Sequence, residues 1–366
     1  MMAQDVTDTP TPNYNVTQIT AQPDVILNQH WAMPTLTNPA ATGDTAFIRI
    51  RGGARLDYLG SHQSPKNFLA TADSPFKVMG KRIGAGIMVN SNSYYLYRNL
   101  MVGAQGSYKF KIKNSMLSIG LQLGYFHSKF KGSELVTNLN KPGGETGDTG
   151  GETGGTDLLT RDDITGGEEN PGGENPGDEV PGDEDYPDGQ ELPTHDVSGG
   201  AIDISLGIRY QHPKFYVGLS GLHLTNSKIK LKRSEESASD LQYIECKVPM
   251  TLYFDAGGNI AINNSLFTLQ PSLIVASDFS EIQGVAEMRA TYNQKITFGL
   301  DYRYNRAVGI VAGLMLKNFY LGYSWEYDYK QSPRGSTGNH ELVLGYQFKM
   351  DLGAKNTFSQ RSIRIM

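Results

Sequence analysis

From Leu100 to Tyr125 apolar and polar positions alternate along the chain. Leu100, Val102, Ala104, Gly106, Tyr108, Phe110 and Ile112 fall on one side, with Gln105, Ser107, Lys109 and Lys111 on the other. This is the period of two that puts successive side chains on opposite faces of a strand. After Lys113-Asn114-Ser115 the alternation resumes, with Leu117, Ile119, Leu121, Leu123 and Tyr125 opposite Ser118, Gly120, Gln122 and Gly124. The pattern predicts a long hairpin with one wholly apolar face.

The same pattern recurs. Ile48, Ile50, Ala54, Leu56 and Tyr58 oppose Arg49, Arg51, Arg55 and Asp57, while Ile202, Ile204, Leu206, Ile208 and Tyr210 oppose Asp203, Ser205 and Arg209. A strand centred on Ile83–Val89 and further copies beginning at Phe215, Ile244, Phe267, Ala286, Ile296, Val308, Phe319 and Leu342, with a weaker one at Phe68–Asp73, bring the count to about 14. Their predicted lengths, roughly 9 to 15 residues, exceed the mean of about 5 to 6 in soluble proteins and suit tilted strands crossing a bilayer. The polar face carries charges that the dry core of a sandwich would not absorb unpaired. An apolar outside and a polar inside predict an all-β fold, a transmembrane antiparallel β-barrel of the outer-membrane type. No run of about 18 apolar residues is present to form a spanning helix.

Connection lengths predict the orientation. Those after the fourth, sixth, eighth, tenth and twelfth strands, KNS, HPK, NNS, NQ and KN, are two or three residues long, as periplasmic turns are. Long connections follow strands five, seven and thirteen. The longest, residues 132–198, is rich in Gly, Pro and acid. Between Lys141 and Asp196 it holds 17 Asp/Glu against 2 Lys/Arg, a charge of −15, and leaves the remaining chain at +10 with 31 basic and 21 acidic residues. Such a segment buries too little apolar area to order itself, so it is expected as a disordered extracellular loop, with both termini periplasmic. The connection after strand two, Ser74–Arg82, is long for a periplasmic turn, and Pro249 and Pro271 inside strands eight and nine predict bulges.

The start, MMAQDVTDTP, resembles the last residues of a secretory signal peptide, with mature sequence from Gln4. Residues 1–25 are therefore expected as a signal-peptide remnant and flexible N-terminus, 26–45 as a segment at the periplasmic mouth or lumen, 46–348 as the barrel and 349–366 as a periplasmic tail. Tyr94, Tyr95, Tyr97, Tyr302, Tyr304, Tyr323, Trp325 and Tyr327 cluster near strand ends, where membrane-interface aromatics belong.

Four stretches carry a family resemblance. QHWAMPTLTNPAATG (Gln29–Gly43), RLDYLGSHQSPKNFLATADSPF, YVGLSGLHLTN and STGNHELVLGYQF resemble, in order, the NPAxxG segment, first hairpin, mid-chain GLS strand and closing G-x-H-E strand of the PorP/SprF family of type IX secretion system membrane proteins. The motif residues are Asn38, Pro39, Ala40, Gly43, His340 and Glu341. Tyr58 stands where the family usually has Trp, and the acidic insertion is longer than the usual loop. The resemblance implies an integral outer-membrane barrel that works with the type IX export machinery. Its partner would be a secreted, adhesin-like cargo protein with a C-terminal sorting domain, exported or retained at the surface.

Candidate chemistry is sparse. The single Cys246 excludes an intramolecular disulfide. The seven histidines show no metal spacing, no GxSxG elbow occurs, and Ser61, His62 and Ser64 lack an orienting acid, so the protein is expected not to be an enzyme and to need no cofactor. Asp183, Asp185, Asp188 and Gly189 approach a calcium loop but lack its spacing, and read as part of a solvated polyanion. The inward charges Arg49, Arg51, Arg55, Asp57, Asp203, Arg209, Glu287, Arg289, Asp301 and Arg303 are candidates for a paired lattice filling the lumen around the NPAATG segment, or for an anion-selective pore. Asn38, Pro39 and Gly43 suit a tight turn tucked into the mouth. Lys228, Lys230, Lys232 and Arg233 in the loop Asn226–Asp240 are candidate contacts for cargo or lipopolysaccharide. A net charge of −5 points to no nucleic-acid partner; outer-membrane lipid is expected. The competing functional class is a fatty-acid-transporter-like or porin-like transport barrel.

Overall fold

The computed structural model describes residues 17–21, 24–61, 64–134, 195–232, 244–262, 266–330, 332–333 and 335–349. Among them, fourteen strands close into one antiparallel barrel. They are β1 (Phe47–Leu56), β2 (Lys66–Val78), β3 (Lys81–Tyr94), β4 (Tyr97–Ile112), β5 (Ser115–Lys131), β6 (Asp196–Gln211), β7 (Phe215–Leu222), β8 (Thr251–Gly258, continued by Ile260–Ala261), β9 (Phe267–Ser277), β10 (Ile282–Tyr292), β11 (Ile296–Arg303), β12 (Ala307–Leu316), β13 (Phe319–Asp328) and β14 (Asn339–Lys349). Each pairs with its sequence neighbours, and Phe348 opposite Ile48 closes the ring. Closure leaves no unpaired edge, which lipid would not tolerate.

The two faces meet different media. Outward positions such as Ile87, Leu123, Ile202, Phe298 and Leu300 are more than half exposed, whereas inward Gln122, Arg209, Asp301 and Glu341 are buried. Aromatic side chains bracket the aliphatic belt. Tyr302, Tyr323, Trp325 and Tyr327 stand toward the end with the long connections. Phe267 opposite Tyr292 and Phe319 opposite Tyr346 form cross-strand pairs near the short turns, with ring centroids 4.9 and 4.6 Å apart. A belt with two girdles is the signature of a bilayer-spanning barrel.

Three expectations are corrected. The second strand is longer than Phe68–Asp73 and absorbs most of the supposed loop, so β2 and β3 join through Met79-Gly80, both at positive φ. Every even connection is thereby short. The alternation was hidden because Ser74 and Pro75 interrupt the apolar pattern while still facing β3. Second, the strand expected from Ile244 leaves the wall. Ile244–Lys247 pairs with Lys228–Leu231 and, in parallel, with Thr17–Thr20, while β8 starts at Thr251. Ile244 and Cys246 alternate like wall residues but pack inward with Leu96, Phe130, Val197 and Leu231. Third, no bulge forms at either proline. Pro249 lies between strands, and Pro271 keeps register opposite Met288 on β10. The β8–β9 ladder lapses only beside it, between Gly257–Ser272 and Ile260–Leu269.

The parallel pairing places Thr17–Thr20 at the long-connection end; the termini themselves lie outside the described residues. From there the chain descends through the lumen to Asp44 and enters β1 at the short-turn end. Residues 1–16, 135–194, which hold the acidic loop and the calcium-like residues, and 350–366, the tail, lie outside the described residues. So do Arg233 and His62.

Candidate functional site

Residues 24–44 occupy the barrel interior, and from Ile26 to Asp44 every one is buried. Asn38 is extended, and its side chain accepts the Ala40 N–H at 2.9 Å, capping the short 3₁₀ turn Pro39–Ala41 with Pro39 at its first position. Its amide also donates to the Ile208 carbonyl and to Asp255, each at 3.3 Å. Gly43 has φ of +60°, and a Cβ there would stand 2.7 Å from the Ser74 carbonyl oxygen, so both its backbone and its space require glycine. NPAATG is thus a compact reversal packed against the wall.

The wall makes room for it. Gly84, Gly120, Gly207 and Gly322 lie at inward positions where a Cβ would collide with the Thr42 carbonyl, the Pro39–Ala40 peptide, the Asn38 side chain and the Gln29 side chain respectively. Inward residues flanking these gaps hold the segment by its backbone. Gln105 donates to the Thr35 carbonyl at 2.7 Å, Ser107 to the Thr42 carbonyl at 2.7 Å, and Asp73 accepts the Gly43 N–H at 2.7 Å.

Most of the inward charges form paired groups that include the segment. Arg49 bridges Asp44 at 2.8 Å and Asp73 at 2.6 Å. Arg55 reaches Asp57 at 2.8 Å, Glu326 at 2.9 Å and the Asn28 side chain at 3.0 Å. Arg303 binds Glu326 at 2.9 Å, the Ile26 carbonyl at 3.1 Å and the Asn28 side chain at 2.6 Å. Glu341 accepts the N–H groups of Asn28 and Gln29. Arg289 pairs with Glu287 at 3.3 Å and stacks 3.9 Å over the Trp31 ring. Arg209 pairs with Asp255, and Arg51 lies 5.8 Å from the Tyr320 ring. Asp301 is buried directly opposite Glu287 and beside Gly309. Nearer the long connections, His223 sits between Asp24 and Asp203, 2.9 Å from each.

The other sequence candidates lie elsewhere. His340 faces outward, its Nδ1 2.7 Å from the Tyr323 hydroxyl. Lys228 pairs with Glu245 at 3.0 Å, and Lys228 and Lys230 flank the buried Ile229 in the hairpin that caps the mouth. Lys232 bridges Ser198 of β6. Tyr58, in the β1–β2 connection, receives Arg306 at 2.7 Å and donates to Asp328 at 3.0 Å. Burial, opposed by Arg306, pushes its hydroxyl pKa up to about 12. Among the described residues no group of three or more His, Cys, Asp or Glu is arranged to hold a metal. The contacts of Asp24, Asn28, Gln29, Trp31, Asp73, His223 and Glu326 were not singled out from sequence. Asp73 and Glu326 keep the inward parity of their strands, the one signal that marks them.

The profile of the family described as type IX secretion system membrane protein PorP/SprF matches residues 19–160 and 176–346. No curated protein sequence matches the chain. Among solved structures, the fold is similar to a FadL homologue of Pseudomonas aeruginosa (11% identity, 85% of this chain and 92% of that one, TM-score 0.45). It is also similar to the TodX monoaromatic hydrocarbon channel deltaS2S3 mutant (11%, 86% and 94%, 0.44) and to Omp33 of Acinetobacter baumannii (7%, 84% and 100%, 0.38).

Proposed function

Because the chain belongs to the PorP/SprF family of type IX secretion system membrane proteins, we propose that this outer-membrane barrel is a non-enzymatic accessory that binds one secreted cargo protein through that cargo's C-terminal sorting domain. In this reading it assists the export or surface retention of an adhesin-like partner. The observation that carries it is the filled lumen. Residues 24–44 are anchored by charged, buried contacts from β1, β2, β11 and β14, which leaves binding rather than passage as the mode of action. The same filling disfavours an open porin or solute transporter.

The short turns face the periplasm and the long connections face outward, following the usual asymmetry of such barrels. Cargo then meets the outer surface, built from the paired segments Lys228–Leu231 and Ile244–Lys247 and from the β1–β2 and β13–β14 connections, where Leu59 donates its backbone N–H to Gly338 and accepts that of Thr337. Affinity purification from the native membrane should recover one dominant secreted protein with a C-terminal sorting domain, and loss of the gene should abolish that protein's surface display alone. Recovery of no such partner, with surface display of every type IX cargo unchanged, contradicts the proposal.

A further inference from the structure

The connections at the short-turn end of the barrel carry charge of one sign. Its six connections read MG, KN, HPK, INNSL, NQK and KN, with Lys113, Lys214, Lys295 and Lys317 and not one acid. The opposite end carries Asp57, Glu134, Asp196, Asp278, Glu281 and Asp328 beside its connections. The turn lysines lie below the aromatic girdle, where headgroups meet them and account for them.

A second set of cations has no such explanation. Lys77, Arg82 and Lys109 lie on the inner face of β2, β3 and β4. The sheet register sets Lys77 directly opposite Arg82, and Arg82 directly opposite Lys109. Like charges in that relation repel. Lys109 is 7% exposed, and its ammonium donates only a 3.4 Å hydrogen bond to Ser118. None of the three forms an ion pair among the described residues, and Asp44 and Asp73, the acids that act on Lys109, are engaged by Arg49. Lys77 is exposed and Arg82 half-buried, so the row opens to water at the mouth.

We propose that this inner row is a docking surface for an acidic polypeptide segment of a separate partner, which enters the short-turn mouth and supplies the missing carboxylates. Lipid headgroups approach the outer face, with Phe76, Tyr108 and Phe110 and the thickness of the wall between them and the row. The chain's own segments do not fit. The acidic stretch leaves from the opposite end, and the residues after Lys349 hold Asp351 against Lys355, Arg361 and Arg364. The proposal does not depend on the cargo reading, because it concerns the other end of the barrel.

The test uses the full chain in nanodiscs of zwitterionic lipid and a fluorescent poly-glutamate peptide as probe, read by anisotropy. Wild type should bind the peptide with an affinity that falls as salt rises. Lys77→Gln with Arg82→Gln should weaken binding about tenfold or more, while Lys214→Gln with Lys317→Gln on the rim should leave it unchanged. Both mutated inner side chains reach solvent, and retained heat-modifiable mobility verifies the fold. Failure of wild type to bind, or equal affinity in the inner-row variant, overturns the proposal. So does an inner-row variant whose nanodiscs lose binding to added anionic vesicles while keeping full peptide affinity, an outcome that assigns the row to lipid.

Discussion

Glu341 on the last barrel strand accepts the backbone N–H of Gln29, more than 300 residues earlier, at 2.9 Å, and the N–H of Asn28 at the same distance. One carboxylate thus fixes the internal segment to the strand that closes the barrel. Hydrogen bonds to a buried charged group contribute about 1.5 to 3 kcal/mol. Glu341→Ala should lower unfolding stability by roughly that amount and expose residues 24–44 to protease before the barrel melts. Cleavage indistinguishable from wild type would show that other contacts suffice to hold the segment.

Gly120 tests the fit of that segment against the wall. A Cβ there overlaps the Pro39–Ala40 peptide, whereas one at Gly106, on the outer face of β4, meets nothing within 4 Å. Gly120→Val should therefore displace the NPAATG reversal and raise protease sensitivity of the segment, and Gly106→Ala should behave as wild type.

Leu121 and Gln122 separate lipid from lumen. Leu121→Arg should cost about 2 to 4 kcal/mol near the bilayer midplane. A water-filled lumen would tolerate Arg at Gln122. Gln122 is instead 2% exposed and accepts a 2.6 Å hydrogen bond from Gln105, which also holds Thr35. Gln122→Arg is thus expected to destabilise the protein as well, through overpacking, by about 1 to 3 kcal/mol. Unfolding titrations in lipid vesicles measure both; a neutral Gln122→Arg would mean the interior is looser than described.

The acidic connection should be dispensable for folding. Strands β5 and β6 stay in register up to Lys131 opposite Asp196, and Asp196 also binds Lys129 at 2.8 Å and the Ser133 hydroxyl at 2.7 Å. The hairpin closes before residue 135. Replacing 135–194 with a short turn should preserve heat-modifiable folding, since closure free energy changes slowly with loop length.

What was legible in the sequence follows from what alternation encodes. A period of two reports two faces and so revealed the barrel, most of its strand starts and its inward charges. It does not report which medium each face meets. Ile244 and Cys246 alternate as lipid-facing residues do, yet cover the inside of the mouth. Ser74 and Pro75 broke the pattern without ending the strand. Gly84, Gly120 and Gly207 read as neutral members of the polar face, because a glycine marks space and the chain that fills it lies far away in sequence. Tertiary threading of Asn28, Trp31 and Asp24 past their partners leaves no local signature. The partners of Arg49 and Arg55 became visible only once the register was known.

The lumen is closed by residues 24–44 of the same chain, and conductance measures that directly. Purified wild-type protein inserted into planar bilayers should show no stable open-channel steps. The combined Glu341→Ala and Gly120→Val variant, with the segment released, should conduct. Steady wild-type conductance of the size expected for an open fourteen-strand pore, unchanged in the variant, would contradict the account.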